Sequence, residues 1–125
     1  MRRAVVICGA NGERGLILEK VVERFAKENQ SKILQFGAGG IAVSSLMLTM
    51  SNVDLSNVIT VNGCRNKCVD RIIERAGAKI GTSCVLDDAL QREVGACKTA
   101  CSFEFPGMND EEVVRFVSMI AKGLE

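Results

Sequence analysis

The chain contains no histidine, no tyrosine and no tryptophan, and its single proline is Pro106. Without an imidazole, serine–histidine and cysteine–histidine catalysis are excluded, because nothing can serve as their base. Any metal site must then be built from thiolates, with carboxylates as the remaining acidic donors. An excess of either charge is also lacking, since 16 basic against 15 acidic residues leave a net charge of +1. That argues against a dedicated nucleic-acid binder and against a polybasic membrane anchor. No hydrophobic run suits a bilayer: the uncharged stretch Ile33–Val53 is interrupted by Gln35, Asn52, glycines and serines, and a membrane span would be more apolar. The run Ala4–Cys8 is too short for the apolar region of a secretory signal and leads into Gly9. A cytoplasmic, reducing location is expected.

What is present is ordinary globular composition. The 125 residues are 47% hydrophobic and 25% charged, which fits one domain over 1–125 that buries about two-thirds of its unfolded surface. The six cysteines are Cys8, Cys64, Cys68, Cys84, Cys97 and Cys101. In a reducing compartment, and with ample core, such a set points to metal or redox chemistry rather than to disulfides.

Short apolar runs alternate with amphipathic stretches. Ala4–Ile7, Lys32–Phe36, Val58–Val61 and Ala78–Val85 are expected as strands, and Gly9–Gly15, Gly37–Gly40 and Asn62–Gly63 as turns. Leu16, Val21, Val22, Phe25 and Ala26 recur at helical spacing. Ile41–Met50 is expected as a helix with almost no polar face, either fully buried or covered by a second subunit. The helical period returns from Cys64, through Cys68, Val69, Ile72, Ile73 and Ala76, and Gly77 stops it. Asp87–Val94 is expected as a short helix, Gly95–Gly107 as irregular, and Asn109 as the cap of a last helix with Glu112 completing a capping-box-like pair. Such alternation predicts a three-layer α/β/α domain of Rossmann or flavodoxin-like type, with a mostly parallel four-stranded sheet. Ligands of such sheets sit beyond the carboxyl ends of the strands. Cys8 and Cys64 fall at that edge although they are far apart in sequence.

A helix starting at Cys64 would put the sulfurs of Cys64 and Cys68 on one face, one turn apart, where the helix N-terminus favours thiolate. Arg65 and Lys67 add positive charge. Cys97 and Cys101 repeat the spacing. The two pairs together could close a tetrahedral zinc site; alternatively Cys8, Cys64 and Cys68 act with a fourth position from Cys97, Cys101 or water. Cys84, on a predicted strand, is expected to be a buried small hydrophobe. Sulfur ligands without histidine suit zinc first, an iron–sulfur cluster second, and a metal-free dithiol third.

The segment Asn62-Gly63-Cys64-Arg65-Asn66-Lys67-Cys68, with Ile72, Ile73, Glu74, Ala76 and Gly77 behind it, resembles the DGC-domain family, small zinc-binding proteins named for an Asp-Gly-Cys tripeptide. Cys8-Gly9-Ala10-Asn11-Gly12 is similar to that family's first strand end, and Gly37-Ala38-Gly39-Gly40 to its second glycine turn. The resemblance implies zinc held by cysteines, carried over to Cys8, Cys64 and Cys68, and no assigned reaction. This chain departs from the pattern in three ways. Asn62 replaces the aspartate, Arg65 stands where proline is usual, and Gln35-Phe36 stands where the family often has a cysteine. Cys97 or Cys101 could supply the missing ligand. The expected function is metal binding, as a metallochaperone, a sensor or an accessory redox module.

A rival reading starts from Cys8 and Arg14. A cysteine at a strand end, a five-residue loop and an arginine opening a helix resemble the phosphate loop of low-molecular-weight tyrosine phosphatases and their arsenate-reductase relatives, and the layout is similar to that of sugar-phosphotransferase IIB proteins. Loop N–H groups would cradle an oxyanion, Arg14 would grip it and Cys8 would attack. Against this stand Gly15 in place of a hydroxyl residue, the lack of an Asp-Pro acid, and Glu13 inside the loop. Arg14 is otherwise expected to be a solvated first-turn charge.

Overall fold

Four apolar runs form one sheet: β1 (Arg3–Ile7), β2 (Ile33–Gly37), β3 (Val58–Asn62) and β4 (Ile80–Val85). They come from a computed structural model that describes residues 2–95 and 106–125. The strand order is β2-β1-β3-β4, and all three pairings are parallel. Every residue of β3 is buried, as an unbroken Val-Ile-Thr-Val run between two covered faces requires. The helices are α1 (Gly12–Asn29), α2 (Ala38–Val43), α3 (Leu46–Thr49), α4 (Cys68–Arg75) and α5 (Glu111–Ala121).

The strands alternate their side chains between two apolar layers. On one face, Val5, Ile59 and Val61 pack with Ile17, Val21 and Phe25 of α1 and with Phe116 and Ile120 of α5. On the other, Ala4, Val6, Phe36 and Val58 pack with Ile41 of α2, Leu48 of α3, and Val69 and Ile73 of α4. The three-layer parallel α/β architecture expected from the alternation is therefore the one observed.

Several local expectations need correction. Helix α1 already starts at Gly12, inside the stretch Gly9–Gly15 expected as a turn, and Arg14 lies in its first turn as expected. The Ile41–Met50 helix is broken: Ser44 is extended (φ −152°, ψ 116°) and separates α2 from α3. Its hydroxyl accepts the Leu46 N–H at 3.4 Å, the local competition by which serine interrupts helices. That segment is not fully buried either, since Val43 (89%) and Met50 (82%) are open to solvent and Leu46 and Met47 are more than half exposed. Asp87–Val94 is not a helix; only a single 3₁₀ turn forms, Leu86–Asp88. Asp110, not Asn109, is the N-cap residue of α5. Glu112 turns away from any capping box to hold Arg92 at 2.7 Å, and the same guanidinium reaches Glu13 at 2.7 Å, tying α1 to α5. Among the described residues, no helix is long and apolar enough to cross a membrane.

Candidate functional site

The strand order fixes where a site can lie. From β1 the chain crosses to β2 on one side, whereas from β3 it crosses to β4 on the other. The connections leaving β1 and β3 therefore diverge, and the crevice between these two strand ends is the sheet's topological switch point. Cys8 follows β1 directly, and its N–H donates to the Val61 carbonyl at 2.9 Å, extending the ladder by one bond. Cys64 follows β3 after Gly63. The two cysteines thus flank the crevice, and both are half-buried.

Gly63 explains how closely the two loops approach. A Cβ built on it would lie 2.8 Å from Ala10 Cβ, 3.2 Å from Leu18 Cδ1 and 3.5 Å from Cys8 Sγ. The sulfur of Cys8 therefore lies against the backbone just before Cys64, and any side chain at position 63 would wedge the two strand ends apart.

Cys64 is not on α4. It opens a turn in which its carbonyl accepts the Lys67 N–H at 3.2 Å, and α4 begins only at Cys68. Lys67 between them is left-handed, at φ 50° and ψ 46°, and is the only non-glycine residue with positive φ among those described. Such a conformation is costly for a side-chain-bearing residue and concentrates where a local geometry is imposed. The expected same-face, one-turn stacking of Cys64 and Cys68 is thus replaced by a turn followed by a helix start. Cys68 is exposed, and Arg71 Nη2 lies 3.5 Å from its sulfur.

Cys84 is the buried small hydrophobe the sequence suggests, only 3% exposed in the α1–α5 layer. Burial, followed by the negative charges of Asp70 and Asp88, pushes its thiol from 9.0 up to about 11. It is neither nucleophile nor ready ligand at neutral pH. Cys97 and Cys101 lie outside the described residues. Among the described residues, no three cysteine or carboxylate side chains converge on one point where they could hold an ion. A cleft of about 510 Å³ is lined by Glu13, Arg92, Glu112 and Arg115 among others, and by none of the described cysteines.

Two polar anchors hold the β3 end, and the sequence reading missed both. The first is Asn62. Its Oδ1 accepts the Val69 N–H at 3.2 Å, so it caps α4 in place of Lys67. Its Nδ2 donates to Asp70 Oδ1 at 2.9 Å and to the Cys84 carbonyl at 3.2 Å. Asp70 also accepts from Thr60 at 2.5 Å and from Ser83 at 2.6 Å. Burial opposes the Asp70 charge, but the hydrogen bonds from Ser83, Thr60 and Asn62 outweigh it and hold the carboxyl below its usual 3.8. The signal was present in the sequence: Thr60 and Asn62 share one face of a buried strand, and buried polar groups demand partners.

The second anchor is Arg14, 6% exposed and not solvated as expected. It shares the apolar stripe of α1 with Ile17, Leu18, Val21 and Phe25, and an arginine on such a stripe must find acceptors. Nη1 donates to the Gly63 carbonyl at 2.8 Å, Nε to Gly95 at 2.8 Å and Nη2 to Val94 at 3.1 Å. Nη1 and Nη2 also pair with the two carboxylate oxygens of Asp87. Beside it, a Cβ on Gly15 would fall 2.3 Å from the Ala10 carbonyl oxygen.

The DGC domain model matches residues 4–117, most of the chain. The chain belongs to the DGC domain family. No similar protein was found among curated proteins or among solved structures. In this DGC domain the glycine of the tripeptide packs against Cys8 and Ala10 of the loop after β1, and the residue before it caps α4.

Two predictions follow from these contacts. Gly63→Ala adds a methyl group where Ala10 leaves no room, and is expected to cost about 1–3 kcal/mol in urea denaturation. Asn62→Asp removes both donors and sets a carboxylate against Asp70, for an expected loss of about 2–3 kcal/mol at pH 7. The pH dependence should invert. In the native chain the Asp70 contribution is present above 3.8 and is lost as pH falls through its lowered value. In the variant, the facing carboxylates raise one pKa, so stability should rise on acidification from pH 7 towards about 5. Denaturation midpoints across that range would show it; a variant as stable as the parent at pH 7 would refute the pairing.

Proposed function

We propose that this DGC domain is a zinc-binding protein whose ligands are thiolates at the carboxyl edge of the sheet. Cys8 and Cys64 are the core ligands, Cys68 is the third, and Cys97 or Cys101 supplies the fourth. The observation that carries this reading is the meeting of Cys8 and the Gly63–Cys64 turn at the β1/β3 switch point, where open α/β sheets bind their ligands. The donor chemistry agrees. The chain has sulfurs and carboxylates but no imidazole, and thiolate sets favour zinc over hard cations. Cys68 stands on the same edge, exposed at the start of α4. Binding would displace thiol protons and so strengthen with pH. Metal delivery, sensing or accessory redox work in a reducing compartment are the roles such a rim suits. The exposed apolar residues of α2 and α3 are where a second subunit would pack.

The phosphatase-like alternative fares poorly on two observations. All five N–H groups of Arg14 are engaged by Asp87 and by backbone carbonyls, so none is left to grip an oxyanion. The crowding at Gly15 leaves no room there for the hydroxyl residue that such a loop uses.

Elemental analysis of protein purified without oxygen is the direct test. One zinc per chain is expected, lost in Cys64→Ser and Cys68→Ser and retained in Cys84→Ala. Visible colour with iron and sulfide would replace zinc by an iron–sulfur cluster. Absence of any metal, together with aryl-phosphate turnover abolished by Cys8→Ser, would overturn the reading.

A further inference from the structure

We propose that Arg14, fixed by Asp87, is the positioning residue of the thiolate rim: it sets the backbone that carries Cys64 against the loop that carries Cys8. The inference rests on the zinc reading for its metal consequence but not for its geometry. Arg14 enters from α1, the helix that follows Cys8 and its loop. Its guanidinium holds the Gly63 carbonyl at 2.8 Å in a buried bond, one residue before Cys64. The same group holds Val94 and Gly95, the last described residues before the segment containing Cys97. One side chain thus joins the connections that leave β1, β3 and β4.

A guanidinium suits this work and an ammonium does not. Its donors are planar and fixed in direction, so three carbonyls and one carboxylate can be held in set positions at once. Burial makes each bond matter, because a guanidinium removed from water and left short of acceptors is strongly destabilising. Asp87 supplies the balancing charge and locks the fork with both oxygens. Partners that orient ligands without touching the metal typically change its affinity 10–100-fold when removed.

The test uses the full-length chain. Arg14→Lys keeps the charge but loses the fork, and Asp87→Asn keeps the shape but loses the lock. Val113→Ala, in the same α1–α5 layer, serves as a control matched for stability loss. Zinc affinity is measured by competition with a chromophoric chelator. In parallel, iodoacetamide labelling of the metal-free protein is followed site by site by mass spectrometry. Both Arg14 and Asp87 variants are expected to bind zinc at least about tenfold more weakly than the control. Both should also label faster at Cys64 relative to Cys68, which lies on α4 and to which Arg14 makes no hydrogen bond. Should Arg14→Lys fail to fold, Asp87→Asn decides. Affinity equal to the control, with an unchanged Cys64-to-Cys68 labelling ratio, would overturn the proposal. If the parent binds no zinc, the metal reading fails alone; an accelerated Cys64 then still supports the clamp, and an unchanged ratio still removes it.

Discussion

Two neighbouring parallel strands whose chains leave in opposite directions cannot be covered at their carboxyl ends by their own connections. In this domain those strands are β1 and β3, and the gap between their ends governs the rest. A continuous apolar crevice would collapse or bind non-specifically. Here the crevice is approached by a cysteine on one side and by a glycine–cysteine pair on the other. The absence of a side chain at Gly63 lets the two ends come within van der Waals contact. The approach is therefore close because of one missing Cβ, and the residues that leave the strands there are Cys8 and, after Gly63, Cys64.

The same segment is held from both layers by polar groups that leave no buried demand unmet. From the α4 side, Asn62 caps the helix and donates to Asp70 and to the Cys84 carbonyl. From the α1 side, Arg14 holds the Gly63 carbonyl. An aspartate at position 62 could cap α4 but could not also donate to a second carboxylate. With Asp70 already bound by Thr60 and Ser83, asparagine is the residue that satisfies both. The departure from the family tripeptide is thus explained by its neighbours and takes nothing from the sulfur rim.

Most of the architecture was legible in the sequence because hydrophobic period and strand–helix alternation report burial directly. Four strands, the parallel sheet, the long first helix and the cysteine-bearing edge could all be read this way. What could not be read depends on partners distant in the chain. The Arg14 position carries a helical apolar period that fits burial, yet its acceptors lie some fifty to eighty positions away, and local spacing cannot announce them. The start of α4 moved from Cys64 to Cys68 because Asn62 caps from outside the helix, another contact that helical period does not encode. Apolarity alone reads Ile41–Met50 as one helix, whereas Ser44 near its centre competes for the backbone and divides it.

The division of labour between core and rim bears on what a bound metal would do. The two apolar layers on either side of the sheet close without any cysteine except the buried Cys84, with Cys8 only at their edge. The α1–α5 layer contains Phe25 and Phe116, and the opposite layer Phe36 and Ile73. Small zinc-dependent folds differ in kind: their cores are too slight to stand alone, and the ion supplies the folding free energy. Here apolar burial and the two polar anchors supply it. An ion held at that edge would sit outside both apolar layers. The two cysteines differ physically, for Cys64 lies in a segment clamped at Gly63 from α1 and at Asn62 from α4, while Cys68 lies exposed beyond a left-handed Lys67. The backbone next to Cys64 is thus held from two sides, whereas Cys68 meets solvent directly.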